Sequence, residues 1–386
     1  MVIVPVNDTF VAGNQVSFDG FVWSNPSGKV AVPVAITATA LAVRLSAALT
    51  GIQTLSVELY KNAVATGLKA DFTSSTGAVV VGTGSVAVSA DDFLHLQGTF
   101  GGGLTTTTIR GFSLGYSATS HITVAHQNSF SDDSGNFDVI GNGFGVDNFL
   151  TDSDFPPGAC WNPLTSALTF NRVEITSPTL ATYTFQPQIG IPAVATGSSV
   201  VSSANPIGGN ITLTAAAPAN AADLAVVAMS MRATGSGTIN ERTMLAYLPA
   251  SPLSLYAVLA SGFGSNNYFS TEATRFLAIG GTANSTVEAN RQLPAAVPGT
   301  LKYLLVAIET KNVSSDSTYT INVRVNGADV ITASVLNSAS PLVTRETTTG
   351  VHVVAGDLVN FRVTTSGPTG VGNRARIYAA VGFLPD

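Results

Sequence analysis

Apolar side chains recur at every second position through much of this chain. Tyr319, Ile321, Val323 and Val325 alternate with Thr320, Asn322 and Arg324, the period-2 signature of a strand with one buried face. Asn326-Gly327 follows and supplies two residues that tolerate positive φ, as a tight hairpin requires. Val359, Phe361 and Val363 alternate with Leu358, Asn360 and Arg362, and Leu55, Val57 and Leu59 with Ser56, Glu58 and Tyr60. Long capped stretches of 3.6 periodicity are absent, so the pattern predicts strands throughout and helix only as single turns.

The pattern repeats along the chain. Ala90-Asp91-Asp92-Phe93, Ala221-Ala222-Asp223-Leu224 and Ala355-Gly356-Asp357-Leu358 place an aspartate before an apolar residue at spacings of 131 and 134 residues. Ala63-Val64-Ala65-Thr66-Gly67 returns 130 residues later as Ala193-Val194-Ala195-Thr196-Gly197. Asn62 precedes Asp92 by 30 residues and Asn326 precedes Asp357 by 31. Each Asp turn leads into an apolar strand, a Gly/Thr-rich turn and a closing strand: Ile109 to Tyr116, Met244 to Leu248, and Ile377 to Phe383. Self-similarity at a fixed period signals tandem structural units. The expectation is an all-β chain of three tandem antiparallel β-sandwich or jelly-roll domains, over 1–120, 121–250 and 251–386. Short strands between frequent turn signals fit that class. The middle copy departs most, with Ile189-Gly190-Ile191-Pro192 where the others carry an Asn turn.

The turn built on Ala/Gly-Asp directly before an apolar strand, Val353-Val354-Ala355-Gly356-Asp357-Leu358-Val359 in the clearest copy, resembles jelly rolls of the tumour-necrosis-factor and C1q type. Similar modules occur in structural proteins of bacteriophage virions. The resemblance implies an assembly role and carries no functional residues across.

Composition narrows the function. Charged residues are 10% of the chain and hydrophobic ones 45%, against roughly 25% charged in typical soluble domains. Thr, Ser, Asn and Gly must therefore form much of the surface, which tolerates close packing against other subunits. A net charge of −6 with scattered Lys and Arg argues against nucleic-acid binding. The most apolar window, Val30 to Val43, contains Pro33, Thr37 and Thr39 and falls short of the roughly 18 to 20 residues of a membrane helix. The start, Met1-Val2-Ile3-Val4-Pro5, carries no signal-peptide pattern. Cys160 is the single cysteine, so no disulfide forms within the chain.

Candidate chemistry is sparse. Asp132, Asp133, Asp138, Asp147, Asp152 and Asp154 lie among Gly and Asn, and Asp132, Asp133 and Asp138 are the candidate ligands for a hard cation. Asp133-Ser134-Gly135-Asn136-Phe137-Asp138 lacks the later bidentate Glu of a calcium loop, and a solvated loop is the expectation. His95, His121, His126 and His352 form no converging set. Cys160 beside Trp161 lacks the signature of an activated thiol and is expected as a small core residue. Glycoside cleavage needs two carboxylates about 5 to 10 Å apart, and Glu58, Glu174, Glu241, Glu272, Glu288, Glu309 and Glu346 are dispersed. Gly101-Gly102-Gly103 precedes threonines rather than a helix, so it is no phosphate cradle. Trp23, Tyr60, Trp161, Tyr256 and Tyr268 are candidate sugar platforms, with no cluster singled out.

The expectation is therefore a non-enzymatic structural component of a virus particle, a bacteriophage above all: a capsid decoration, head fibre, spike or tail/collar protein. It would be assembled in the host cytoplasm and act on the extracellular virion without a cofactor, nucleic acid or membrane. Its partners would be other virion proteins, copies of itself with a trimer favoured, and host-surface glycans. Alternatively, three units of one chain would close a pseudo-threefold ring themselves. The competing function is a receptor- or glycan-binding adhesin, or a secreted surface-layer or filament subunit.

Overall fold

The computed structural model describes residues 1–18, 22–23, 30–32, 34–117, 121–131, 138–140, 143–144, 160–162, 168–176, 182–189, 194–195, 199–202, 211–213, 225–234, 238–247, 257–262, 269–270, 274–280, 284–311, 317–336, 342–346, 349–366 and 374–386, with only the strand backbone between 118 and 273. The protein is all-β. A single 3₁₀ turn, Glu288–Asn290, is the helical element among the described residues.

In the first third, β1 (Val2–Val11), β2 (Gln15–Ser17), β3 (Val22–Trp23), β4 (Val30–Ala31), β5 (Ile36–Leu45), β6 (Thr54–Lys61), β7 (Val64–Phe72), β8 (Val79–Val88), β9 (Phe93–Gly101) and β10 (Thr106–Ser117) form two antiparallel sheets. Their orders are β1-β10-β5-β8 and β3-β2-β9-β6-β7, with β4 paired to β9. The sheets face each other as a sandwich. Val2, Val4, Leu41, Val43, Phe112 and Leu114 from one meet Val16, Leu55, Val57, Leu59, Leu94 and Leu96 from the other in one buried core. Phe18 and Phe112 cross edge to face in it, with centroids 5.0 Å apart.

The last third has one sheet in the order Ala257–Gly262, Arg374–Pro385, Gly299–Lys311, Leu342–Glu346, and a second in the order Asn284–Ser285, Arg275–Leu277, Leu358–Ser366, Thr318–Val325, Ala328–Leu336. Leu293–Pro294 pairs with Leu358–Ser366 as β4 pairs with β9. In the middle third one sheet runs Gly143–Phe144, His121–Ser131, Thr238–Tyr247, Leu168–Thr176, Ile211–Leu213. The other runs Asp138–Ile140, Ala225–Thr234, Thr182–Ile189, Val194–Ala195, with Cys160–Asn162 paired to Ala225–Thr234. Among the described residues the pairings are antiparallel except a short parallel one between His121–Ser131 and Gly143–Phe144.

The alternation read from the sequence places the core. Leu55, Val57, Leu59, Tyr319, Ile321, Val323, Val359, Phe361 and Val363 are all buried. The intervening positions depart from a simple wet face, because Asn322, Arg324 and Asn360 are buried as well. Arg324 Nε donates to Glu288 Oε1 at 2.6 Å, its other nitrogens reach Asp329 and the Gly327 carbonyl, and Arg362 joins at Asp329. The Arg324 guanidinium also lies 5.8 Å from the Phe276 ring centroid. A buried charge costs several kcal/mol unless paired and hydrogen-bonded, and this cluster supplies the pairing from a turn 36 residues away in sequence.

Truncating Phe112 to alanine removes a fully buried ring from the sandwich core. The first third is expected to lose about 3–5 kcal/mol, read as a lower urea midpoint for Phe112→Ala.

Candidate assembly interface

Two residues in the first third, Asn62 and Asp92, form a clasp that recurs in the last. The β6–β7 turn places Asn62 at φ 50° and Ala63 at φ 64°, the positive-φ pair of a tight hairpin. The Asn62 amide nitrogen donates to Asp92 Oδ1 at 2.6 Å, its Oδ1 accepts from the Phe93 N–H at 2.8 Å, and Asp92 Oδ2 accepts from the Ser89 N–H at 2.8 Å. In the last third, Asn326 stands at φ 50° and Gly327 at φ 81°. Asn326 donates to Asp357 Oδ1 at 2.7 Å and accepts from Leu358 N–H at 2.9 Å, while Asp357 Oδ2 accepts from Val354 N–H at 2.8 Å. Asp223, the third member of the sequence motif, lies outside the described residues.

The clasps also anchor a piece of backbone. Val32 N–H donates to the Asp92 carbonyl and Asp91 N–H to the Val32 carbonyl; Ala295 N–H likewise donates to the Asp357 carbonyl and Gly356 N–H to the Ala295 carbonyl. Each Asp turn thus holds the residue just after a short strand, Val30–Ala31 or Leu293–Pro294. These two short strands touch neighbouring thirds. Leu293–Pro294 lies beside β10, β5 and β1, and Val30–Ala31 lies beside Thr238–Tyr247 and Leu168–Thr176.

Side chains define the contact between the last and first thirds. Successive β10 residues face opposite ways: Phe112, Leu114 and Tyr116 fill the sandwich core, while Gly111, Ser113 and Gly115 face the last third. In β5, Leu41 and Val43 face inward, and Ala40 and Ala42 join Met1, Ile3, Leu293, Ala295 and Ala296 in a second buried cluster. Small residues let the backbones approach. A β-carbon on Gly111 would sit 2.4 Å from Leu293 Cδ2, and one on Gly115 2.3 Å from Val297 Cγ1. Two polar groups trapped here are bonded: Ser113 Oγ donates to the buried Pro294 carbonyl at 2.6 Å, and Ala296 N–H meets Met1 Sδ at 3.2 Å. A face of Gly, Ser and Ala opposite a face of Phe, Leu, Tyr and Val was the available sequence signal for this contact, and the expectations above passed over it.

The chemistry weighed from sequence does not converge among the described residues. His95 is buried, with its ring 5.3 Å from that of Tyr60, whereas His352 is exposed and pairs with Asp386 at 3.0 Å. Glu58 accepts from the Gly67 N–H, and Glu288 serves Arg324. Among the described residues, no three His, Cys, Asp or Glu side chains group as a metal site. Asp132 and Asp133 lie outside the described residues, and Asp138 opens the strand Asp138–Ile140, opposite Met231. Cys160 and Trp161 lie on Cys160–Asn162, and His121 and His126 on His121–Ser131. Trp23 ends β3, while Tyr256 and Tyr268 are outside the described residues. Among the described residues, no helix is long and apolar enough to cross a membrane.

No family model matches the chain, and no curated protein matches it. Among solved structures, the insecticidal delta-endotoxin Cry8Ea1 from Bacillus thuringiensis aligns with 100% of this chain at 8% identity and a TM-score of 0.18. The chain spans 60% of that protein's chain. So low a TM-score carries no argument about fold or function.

The matching clasps predict matching costs. Asn62→Ala and Asn326→Ala each strip an amide from a carboxylate and a backbone N–H at an exposed turn, for an expected loss of about 0.5–1.5 kcal/mol, with similar shifts of the two urea midpoints. Asp92 adds a pH signature. Desolvation pushes its carboxyl up, but the Ser89 N–H, the Asn62 amide and Lys61 together outweigh that and hold it below the usual carboxylate range. A lowered folded-state pKa stabilises the fold above the unfolded value of about 3.9 and stops doing so as pH falls through the lowered value. Asp92→Asn is therefore expected to lower stability near pH 7 and to flatten the further loss on acidification to about pH 3, measured by urea titration at both.

Proposed function

We propose that this chain is a non-enzymatic structural subunit of a virus particle, a bacteriophage above all, built from three tandem copies of a jelly roll over 1–120, 121–250 and 251–386. The observation that carries this reading is the shared plan of the thirds. In each, the first and closing strands lie side by side in one sheet, and the strand before the closing one pairs with a short partner in the other. Two facing four-stranded cores of this kind fit the jelly-roll architecture. The clasp before Phe93 and before Leu358 supports a common origin for the first and last copies.

A chain with 10% charged residues that buries sandwich faces against neighbouring units suits dense packing on a particle surface. In this role it decorates a capsid or contributes to a head fibre, spike, collar or tail, alongside other virion proteins. The order of jelly-roll strands also fits the tumour-necrosis-factor and C1q resemblance.

The test is mass spectrometry of particles purified from lysates of the producing host, with immunogold labelling for the chain. The expected result is a fixed stoichiometry and labelled particle surfaces, with no polysaccharide turnover by the purified protein. Absence from the particles, together with glycan-array binding by the free chain, would favour an adhesin instead.

A further inference from the structure

We infer that the three thirds of one chain close into a head-to-tail ring, the last docking back onto the first, so that a single molecule completes the assembly. This rests on the reading of three copies above. Three domains joined in a row need two contacts. A ring needs a third, between the domains farthest apart in sequence, and the seam of Leu293, Pro294 and Val297 on Gly111, Ser113 and Gly115 is that contact.

The same pair of surfaces recurs around the chain. Val30–Ala31 of the first third lies beside Thr238–Tyr247 and Leu168–Thr176 of the middle third. Cys160–Asn162 of the middle third lies beside Ala257–Gly262 of the last, and Leu293–Pro294 of the last lies beside β10, β5 and β1 of the first. Each donor strand pairs, within its own third, with the strand that precedes the closing one. Each acceptor belongs to the sheet that holds the first and closing strands. Donor and acceptor are different surfaces, so every contact is heterologous. Heterologous contacts build open filaments unless their rotation closes, in which case they build rings. Here the succession runs first to middle, middle to last, and last to first.

Two further observations agree. Ala380 alternates with the core residues Ala379 and Val381, yet it too is fully buried outside that core cluster, so the outer face of the last third's closing strand is covered. The opening strands β1 and His121–Ser131 of the first two thirds also meet, as neighbours around a common axis would. A closed ring leaves neither donor nor acceptor free. A second copy of the chain then has no place in this contact, and associations with other particle proteins use the remaining sheet faces and the loops.

The experiment is light scattering with small-angle X-ray scattering on the full chain. The wild type is expected at 39.4 kDa with a radius of gyration of about 21 Å, the value for one compact body of this length. Gly115→Leu places atoms where Val297 sits. It is expected either to enlarge the radius by about a quarter as the thirds string out, or to raise the mass to multiples of the monomer as freed donors find acceptors on other chains. Adding Val297→Ala makes room for the new side chain and is expected to restore the compact monomer, which separates an opened seam from a misfolded first third. A wild type that is a stable trimer by mass, or a monomer with the enlarged radius, overturns the ring. So does a Gly115→Leu variant with unchanged mass and radius, or one that Val297→Ala does not restore. The kinship of the first and last copies is tested separately, by the matched effects expected of Asn62→Ala and Asn326→Ala.

Discussion

Close approach of backbones across a stripe of Gly, Ser and Ala is the constraint on which the arrangement of this molecule depends. A strand has two faces, and β10 and β5 bury both. One face carries Phe112, Leu114, Leu41 and Val43 and needs volume to fill a sandwich; the other carries Gly111, Ser113, Gly115, Ala40 and Ala42 and needs the lack of it. Side chains of ordinary size on the second face would hold Leu293 and Val297 away and leave the Pro294 carbonyl without the Ser113 hydroxyl. A buried carbonyl stripped of its partner costs about 1–3 kcal/mol, so small size and hydrogen bonding act together at this seam.

The clasps connect that seam to the local chemistry of a turn. An Asn at positive φ offers its amide and carbonyl to an Asp about 30 residues later and to the N–H that follows. The Asp backbone in turn holds Val32 or Ala295, the residue after the short strand that meets a neighbouring third. Position 63 shows the cost of this geometry. Alanine occupies a left-handed conformation at φ 64°, where the equivalent residue of the last third is Gly327 at φ 81°, and an L residue with a β-carbon there sacrifices roughly 1–2 kcal/mol that glycine does not.

Charge plays a local part. With so few ionised groups, one concentration among the described residues is Arg324, Glu288, Asp329 and Arg362, joined by ion pairs of Arg324 to Glu288 and Asp329 and of Arg362 to Asp329. Their geometry pins the turn at Glu288–Asn290 to the sheet, a few residues before Leu293 enters the neighbour. The cluster reads as a brace behind the docking strand, since Arg324 ties the Glu288 turn to Asp329 on the neighbouring strand.

Strand positions, hairpin turns and the 30-residue partnership of Asn and Asp were legible in the sequence, because each is governed by neighbouring backbone: a period of two, a residue that accepts positive φ, a side chain that reaches an adjacent N–H. Tyr319, Ile321, Val323, Val359, Phe361 and Val363 went into the core for that reason. The polar members of their strands escaped the same logic. Asn360 and Arg324 are buried because a distant turn and neighbouring strands cover them, and alternation reports only that two faces differ, with no indication of what covers the second. The seam was hidden for a related reason. Gly111, Ser113 and Gly115 are compatible with open solvent or with a neighbour at contact distance, and the choice rests on Leu293, Pro294 and Val297, some 181 residues away along the chain. Local chemistry made the strands and the clasps; only the folding of the whole chain brought the last third against the first, since burial of small side chains requires a complementary surface that no local period encodes.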